Sequence, residues 1–179
     1  MVARGPTYSL PGDSGHEHKG AVLFNITVWV AEGFLALFFA LAGLPKIFGK
    51  GINRWVGFDE VPGGLTILIG ICEIAAAVGL IVPVLVGRVE WTTPLAGIGI
   101  VIISLMASGF HLRNREWLAA LETVLWASLA GSVAAARWDK FATGPSLSGH
   151  DVVLLAQLVV VPAVIINLAV LTRATSPNA

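Results

Sequence analysis

Long uncharged apolar runs, separated by short polar segments, dominate the hydrophobic pattern of the chain. A transmembrane helix needs about 20 predominantly apolar residues. Five runs are long enough, and none shows the alternation that is typical of strands. They are residues 22–44, 65–86, 94–110, 118–136 and 152–171, and the third extends further if His111 and Leu112 are helical. Since only helices and closed barrels satisfy the backbone in lipid, the pattern predicts an all-α integral membrane protein with five spans.

Composition narrows the class of protein further. Only 12% of the 179 residues are charged, whereas soluble domains have about 25%. The formal net charge is zero, so no basic surface for nucleic acid is expected. Cys72 is the single cysteine, which excludes an intramolecular disulfide, a dithiol motif and a cysteine zinc site. We expect a multi-pass protein of the cell inner (plasma) membrane, surrounded by lipids.

The predicted domains follow the apolar runs. Residues 1–20 are polar, hold four glycines and two prolines, and predict an extended tail. Residues 21–138 contain four spans, 139–150 a loop, 151–172 an additional transmembrane helix and 173–179 a short tail. The side that holds the N-terminus is named side A here, and the opposite side is side B. Lysine and arginine divide five to six between the sides, so the orientation stays open.

Ionisable residues inside the predicted spans are the leading candidates for function, because charges are costly in a bilayer. Glu32 and Glu73 lie near mid-membrane, whereas Glu122 lies nearer side B. Helical spacing places two serines and His111 on one stripe of the third span, which ends at side B. We therefore expect a polar, ligand-binding pocket that opens on side B. Its predicted residues are Lys46, Glu73, Ser104, Ser108, His111 and Glu122.

A structural interpretation competes with this pocket. Glu32 and Glu73 could be neutral carboxyls that form hydrogen bonds between helices. Lys46 could extend along its own helix to the membrane surface, and the serine stripe could serve packing only. We expect four buried polar residues to have structural roles: Asn25, Glu32, Gln157 and Asn167.

No metal site is expected. Two histidine ligands for haem would have to face each other, whereas His111 and His150 fall on opposite membrane surfaces. Carboxylate-bridged metal pairs use Glu-x-x-His motifs, and the chain has none. No cofactor is assigned, and a quinone or a lipid is the class of ligand left open.

Four stretches within residues 29–138 recur together in one known family of proteins: FFALAGLPKIFG, IGICEIAAAVGLIVP, PLAGIGIVIISLMASGFHLRNRE and a hydrophobic helix ending in ARW. With these stretches the chain resembles the DoxX-like family of small membrane proteins. The resemblance implies a four-helix bundle and singles out Lys46, Glu73 and His111. Glu32, the polar tail and the fifth span lie outside the family pattern. The resemblance also implies a link to redox systems, because some members of that family look like membrane subunits of redox systems such as thiosulfate:quinone oxidoreductase.

These observations favour a non-catalytic membrane subunit that anchors or bridges a larger redox or energy-converting complex. The added tail and fifth span suit attachment to other membrane protein subunits, and no complete catalytic constellation is present. The alternative is a small quinone- or lipid-binding membrane oxidoreductase, with Lys46, Glu73 and His111 as candidate catalytic residues. A transporter is disfavoured, because the chain shows no inverted repeat. Whether the protein is an enzyme stays open at this stage.

Overall fold

Four long helices make up most of the described chain. The computed structural model describes residues 14–49 and 61–145, together with residues 154, 157, 158, 161 and 165. The helices are α1 (Ser14–Phe48), α2 (Gly63–Val86), α3 (Thr92–Arg113) and α4 (Trp117–Ala136), followed by a 3₁₀ helix at Trp138–Thr143. Each long helix contains a segment that is long and apolar enough to cross a membrane. The predicted helical membrane bundle is confirmed.

The four helices form an up-and-down bundle. α1 packs on α2, α2 on α3 and α3 on α4, and α4 closes the bundle by returning to α1. Short turns after α2 and α3 make these neighbours antiparallel. Side A therefore holds the start of α1, the α2–α3 turn and the end of α4. Side B holds the end of α1, the start of α2 and the α3–α4 turn.

The buried face of α1 shows how apolar packing and charge are combined. Its buried positions alternate in steps of four and three, the spacing of a helix-packing stripe: Val28, Glu32, Leu35, Phe39, Ala42 and Lys46. The middle of this stripe joins Leu80, Ile100 and Val133 in the apolar core. Glu32 and Lys46 therefore lie on either side of an apolar layer.

α1 is longer than predicted at both ends. It begins at Ser14, inside the tail that was predicted to be extended. That prediction is wrong from Ser14 onward, because lengthening an existing helix needs no new nucleus. At side B the helix continues through Pro45 to Phe48. Transmembrane helices tolerate proline where neighbouring groups compensate for the lost backbone hydrogen bond.

The remaining boundaries are close to the predicted ones. α3 continues through His111 and Leu112 to Arg113, and the start of the predicted loop 139–150 is a 3₁₀ helix. The predicted fifth span, including Asn167, lies largely outside the described residues. Gln157 is described, and it is helical and exposed instead of buried, because it follows the four-helix bundle and takes no part in the bundle's core.

Candidate functional site

α1 and α2 approach each other closely at two glycines. A Cβ atom added to Gly43 would lie 2.8 Å from the carbonyl oxygen of Gly70, and one added to Gly70 would lie 2.8 Å from the carbonyl oxygen of Gly43. Small residues allow membrane helices this proximity. Each glycine precedes a charged residue by three positions, in GLPK (43–46) and GICE (70–73). The crossing therefore brings Lys46 and Glu73 together.

Lys46 and Glu73 form a buried ion pair beside the glycine crossing. Lys46 Nζ donates a hydrogen bond to Glu73 Oε1 over 2.5 Å, and the two residues are only 5% and 4% exposed. The alternative in which Lys46 extends to the membrane surface is therefore wrong. Burying two charges is costly unless their remaining hydrogen-bonding groups are also satisfied, which directs attention to the second carboxylate oxygen.

In the part of the chain that the structure describes, the second oxygen of Glu73 has no hydrogen-bond donor. Among the buried side-chain nitrogen and oxygen atoms of the described residues, Glu73 Oε2 is the one that lacks a partner. Leaving a buried acceptor unsatisfied costs about 1–3 kcal/mol, and native proteins rarely do so. Within the described residues, the site therefore contains one buried acceptor atom without a donor.

His111 belongs to a different cluster on side B. Its Nδ1 lies 2.7 Å from Glu116 Oε2, and the two side chains are 14% and 26% exposed. This contact joins the end of α3 to the residue before α4, whereas Lys46 and Glu73 join α1 to α2. The structure therefore places His111 in the last turn of α3, where it contacts the residue that precedes α4.

The two predicted serines lie inside the bundle. Ser104 and Ser108 are both buried on α3. Ser108 Oγ donates a hydrogen bond to the carbonyl oxygen of Ala120 over 3.1 Å. This bond connects α3 to α4, which favours a packing role for the serine stripe.

Glu122 faces outward from α4 and does not line the predicted pocket. It is exposed, and its Oε1 accepts a hydrogen bond from Trp126 Nε1 over 3.2 Å. The buried face of α4 contains Ala120, Ala127 and Ala130. Glu122 follows Ala120 by two positions, which is about 200° around a helix with 3.6 residues per turn. Glu122 lies at the membrane depth of the predicted pocket, but on the exposed face of α4.

A second buried ion pair closes the bundle at side A, and the sequence interpretation did not predict it. Arg137 follows α4, and its Nε and Nη2 donate to Glu32 Oε1 and Oε2 over 2.7 and 3.0 Å. Its Nη1 donates to Asn25 Oδ1 over 3.0 Å, and the guanidinium lies 5.4 Å from the centre of the Trp29 ring. The hydrogen bond with Glu32 raises the pKa of Arg137, so the guanidinium keeps its charge.

This second pair is complete, unlike the first. Glu32 is fully buried, and both of its oxygens accept a hydrogen bond from Arg137. Asn25 is exposed on α1, although burial was expected, because this part of α1 lies at the open side-A end of the bundle. Glu32 and Asn25 nevertheless form interhelical hydrogen bonds, with an arginine as the donor.

Comparison with protein families gives a match over more than half of the chain. The model of the DoxX-like family matches residues 30–135, close to the range expected from the resemblance. The match contains Glu32 and the whole Lys46–Glu73 site, and it ends before Arg137. A comparison with curated proteins gave no match, and a comparison with solved structures gave none either.

Proposed function

The chain belongs to the DoxX-like family of membrane proteins, and we propose that it binds the polar end of a lipid-soluble molecule at the Lys46–Glu73 pair. Glu73 Oε2, which has no donor among the described residues, carries this proposal. An acceptor oxygen requires a ligand that donates a hydrogen bond. A hydroxyl group on a hydrophobic body, as in a quinol or a lipid alcohol, has this chemistry.

The two residues of the ion pair have different roles in the proposed site. Lys46 holds Oε1 of Glu73 and stabilises the negative charge of the carboxylate, while Oε2 receives the ligand. Oε2 can accept a proton from a ligand hydroxyl that lies about 2.6–3.2 Å away. The glycine crossing fixes the separation of the two helices, so the acceptor is in place before the ligand arrives.

The surroundings favour a lipid-soluble ligand over a water-soluble one. Exposed apolar residues of α2 flank the site on the outer surface of the bundle, among them Leu68, Ile71 and Val78. In a membrane these residues contact hydrocarbon. A ligand with a hydrophobic body can stay in the lipid while its hydroxyl group reaches between the helices. An ion from water would lose its hydration along that route.

The test uses the purified protein in lipid nanodiscs with a short-tailed benzoquinol as the probe. The bound fraction is measured by native mass spectrometry. The decisive variant is Lys46→Met with Glu73→Leu, since removing both charges leaves neither one buried without a partner. The matched control removes the more exposed Glu90–Lys140 pair, whose atoms lie 2.6 Å apart, by Glu90→Gln with Lys140→Met.

The expected result is that wild type and control bind the benzoquinol and that the Lys46/Glu73 double variant loses at least about tenfold in affinity. Equal affinity in all three proteins would overturn the proposal. A fatty alcohol serves as a second probe. Retention of the alcohol without the quinol would assign the site to lipid hydroxyls, whereas the reverse would assign it to quinols.

A second candidate function is favoured by the exposed carboxylate of Glu122. We propose, as this second candidate, a non-catalytic membrane subunit that anchors or bridges a larger redox or energy-converting complex. An acidic residue on the outside of a span is costly against lipid, and a neighbouring subunit would remove that cost. Native mass spectrometry after gentle extraction from the source membrane tests this function. Stoichiometric larger partners are expected, and a lone chain would contradict the function.

A further inference from the structure

We infer that a surface between α1 and α4 docks a transmembrane helix of another protein, which brings a lysine or arginine to Glu122. The surface consists of Glu122 and Trp126 of α4 with Phe34 and Phe38 of α1, and it is named the α1–α4 aromatic surface. This inference rests on the second candidate function, a membrane subunit. It specifies where the partner of that subunit binds and that the partner carries a basic residue.

Three aromatic rings bridge the seam between α1 and α4. The Trp126 and Phe38 rings are stacked, with centroids 4.1 Å apart and planes at 26°. The Phe34 ring lies 5.4 Å from that of Trp126, and Phe34 remains 54% exposed. Aromatic residues with rigid, broad faces are enriched at the centres of protein interfaces. The rings therefore form an apolar face on which a second helix can pack.

Glu122 adds a charge beside this apolar face. It lies one helical turn before Trp126, and about 7–8 Å into the span from the first residue of α4 at 1.5 Å per residue. The indole of Trp126 gives it one neutral hydrogen bond, but no described residue forms an ion pair with it. Acidic residues within spans normally face the bundle interior or pair with another polar group. A cation from outside the described chain would supply that partner.

The positions of lysine and arginine in the sequence favour a different protein as the source of this cation. Lys46 is already paired with Glu73, and Lys19 and Arg113 lie near the ends of α1 and α3. Residues 152–171, the predicted fifth span, contain no lysine or arginine. The remaining side-B cations, Lys50, Arg54, Arg115 and Arg173, fall outside the apolar runs and so nearer the membrane surface than Glu122. Neither the predicted fifth span nor the apolar runs of a second copy therefore contains a lysine or arginine at the depth of Glu122. Charge complementarity selects a foreign helix with a basic residue at that depth.

The test is site-specific photo-crosslinking of the full chain in its source membrane. The photoreactive residue replaces Leu125, which is 62% exposed on α4 beside Glu122, and in the control it replaces Val78, which is 52% exposed on α2. Sequencing of the crosslinked peptides identifies the contact. From Leu125 we expect a helix of another protein with a lysine or arginine within two turns of the crosslink, and from Val78 we expect no such helix.

A charge exchange then tests the role of Glu122. Glu122→Lys should reduce the crosslink at least about tenfold, because breaking a buried charge pair speeds dissociation. Replacing the partner's basic residue by glutamate should restore it. Crosslinks from Leu125 to lipid only, to a second copy or to residues 152–171 would overturn the docking surface. If native mass spectrometry still showed a stoichiometric partner, the subunit function would stand without this surface, whereas a lone chain would remove both.

Discussion

The Glu32–Arg137 and Lys46–Glu73 pairs each join a buried carboxylate to a basic side chain. They differ in how many of the carboxylate oxygens accept a hydrogen bond. Glu32 and Lys46 lie on one stripe, about 21 Å apart at 1.5 Å per residue. At side A, Arg137 satisfies both oxygens of Glu32. At side B, Lys46 binds one oxygen of Glu73, and the other oxygen has no donor among the described residues. This difference is the basis on which we propose the side-B pair as a binding site and treat the side-A pair as a structural clamp.

The chemistry of the two cations explains this difference. Arginine has a planar group with five donors, which matches both oxygens of a carboxylate, whereas lysine is a point charge on a flexible stem. In the arginine pair both carboxylate oxygens already accept hydrogen bonds, so a ligand could form few new ones. The lysine pair leaves an acceptor whose satisfaction would be worth about 1–3 kcal/mol to a ligand that fits.

The largest expected effect comes from breaking the complete pair. Arg137→Met leaves Glu32 buried and without its partner, so the free energy of unfolding should fall by about 3–5 kcal/mol. Denaturant unfolding in detergent micelles measures the loss. The control is Arg88→Met in the exposed α2–α3 turn, which should change stability by less than about 0.5 kcal/mol. A similar, small loss for both variants would show that the clamp is not structural.

A smaller effect is expected from disturbing the glycine crossing. In Gly70→Ala the new methyl group would meet the carbonyl oxygen of Gly43 at 2.8 Å and Cβ of Lys46 at 2.9 Å, so the helices must separate. Such overpacking costs about 1–3 kcal/mol, and it should weaken benzoquinol binding because Glu73 moves away from Lys46. Denaturant unfolding and a binding titration measure the two effects.

Gly99→Ala is the matched control for the glycine crossing. A Cβ atom at Gly99 of α3 would meet no neighbour within 4 Å. This variant should keep wild-type affinity for benzoquinol and gain stability, since alanine in a helix is favoured over glycine by about 0.5–1 kcal/mol. Unchanged binding in Gly70→Ala would mean that the helix approach does not position Glu73.

The smallest effect is expected at His111. Its pairing with Glu116 is partly exposed, and such pairs contribute about 0.2–1 kcal/mol. His111→Asn should therefore cost no more than that in unfolding free energy and leave benzoquinol affinity unchanged. A titration of this variant with benzoquinol distinguishes two hypotheses. In the side-B pocket predicted from the sequence His111 holds the ligand, whereas in the proposed Lys46–Glu73 site it does not. Loss of binding would favour the former.

Local pattern was sufficient to predict the helices and part of the site. Apolar run length located the four spans, and the positions of Lys46 and Glu73 within them marked both residues as candidates. Glu122 shows where depth alone misleads. Its level in the membrane suggested the pocket, although the small residues Ala120 and Ala127 already indicate that the opposite face of α4 is buried.

The clamp could not be predicted, because it joins residues 105 positions apart. Glu32 indicated that a donor was needed, but Arg88, Arg137 and Lys140 all lie on side A, and the sequence does not distinguish among them. The unpartnered oxygen of Glu73 depends on side-chain geometry at the glycine crossing. That geometry follows from helix packing, which no local pattern contains.

The most direct test compares benzoquinol binding to two double variants in nanodiscs. One variant removes the side-B pair by Lys46→Met with Glu73→Leu, and the other removes the side-A pair by Glu32→Leu with Arg137→Met. Neither leaves a buried charge without its partner, so both should stay folded. We predict that the side-A variant binds benzoquinol as wild type does and that the side-B variant loses at least about tenfold in affinity. Equal binding by both folded variants, or a loss confined to the side-A variant, would contradict the account.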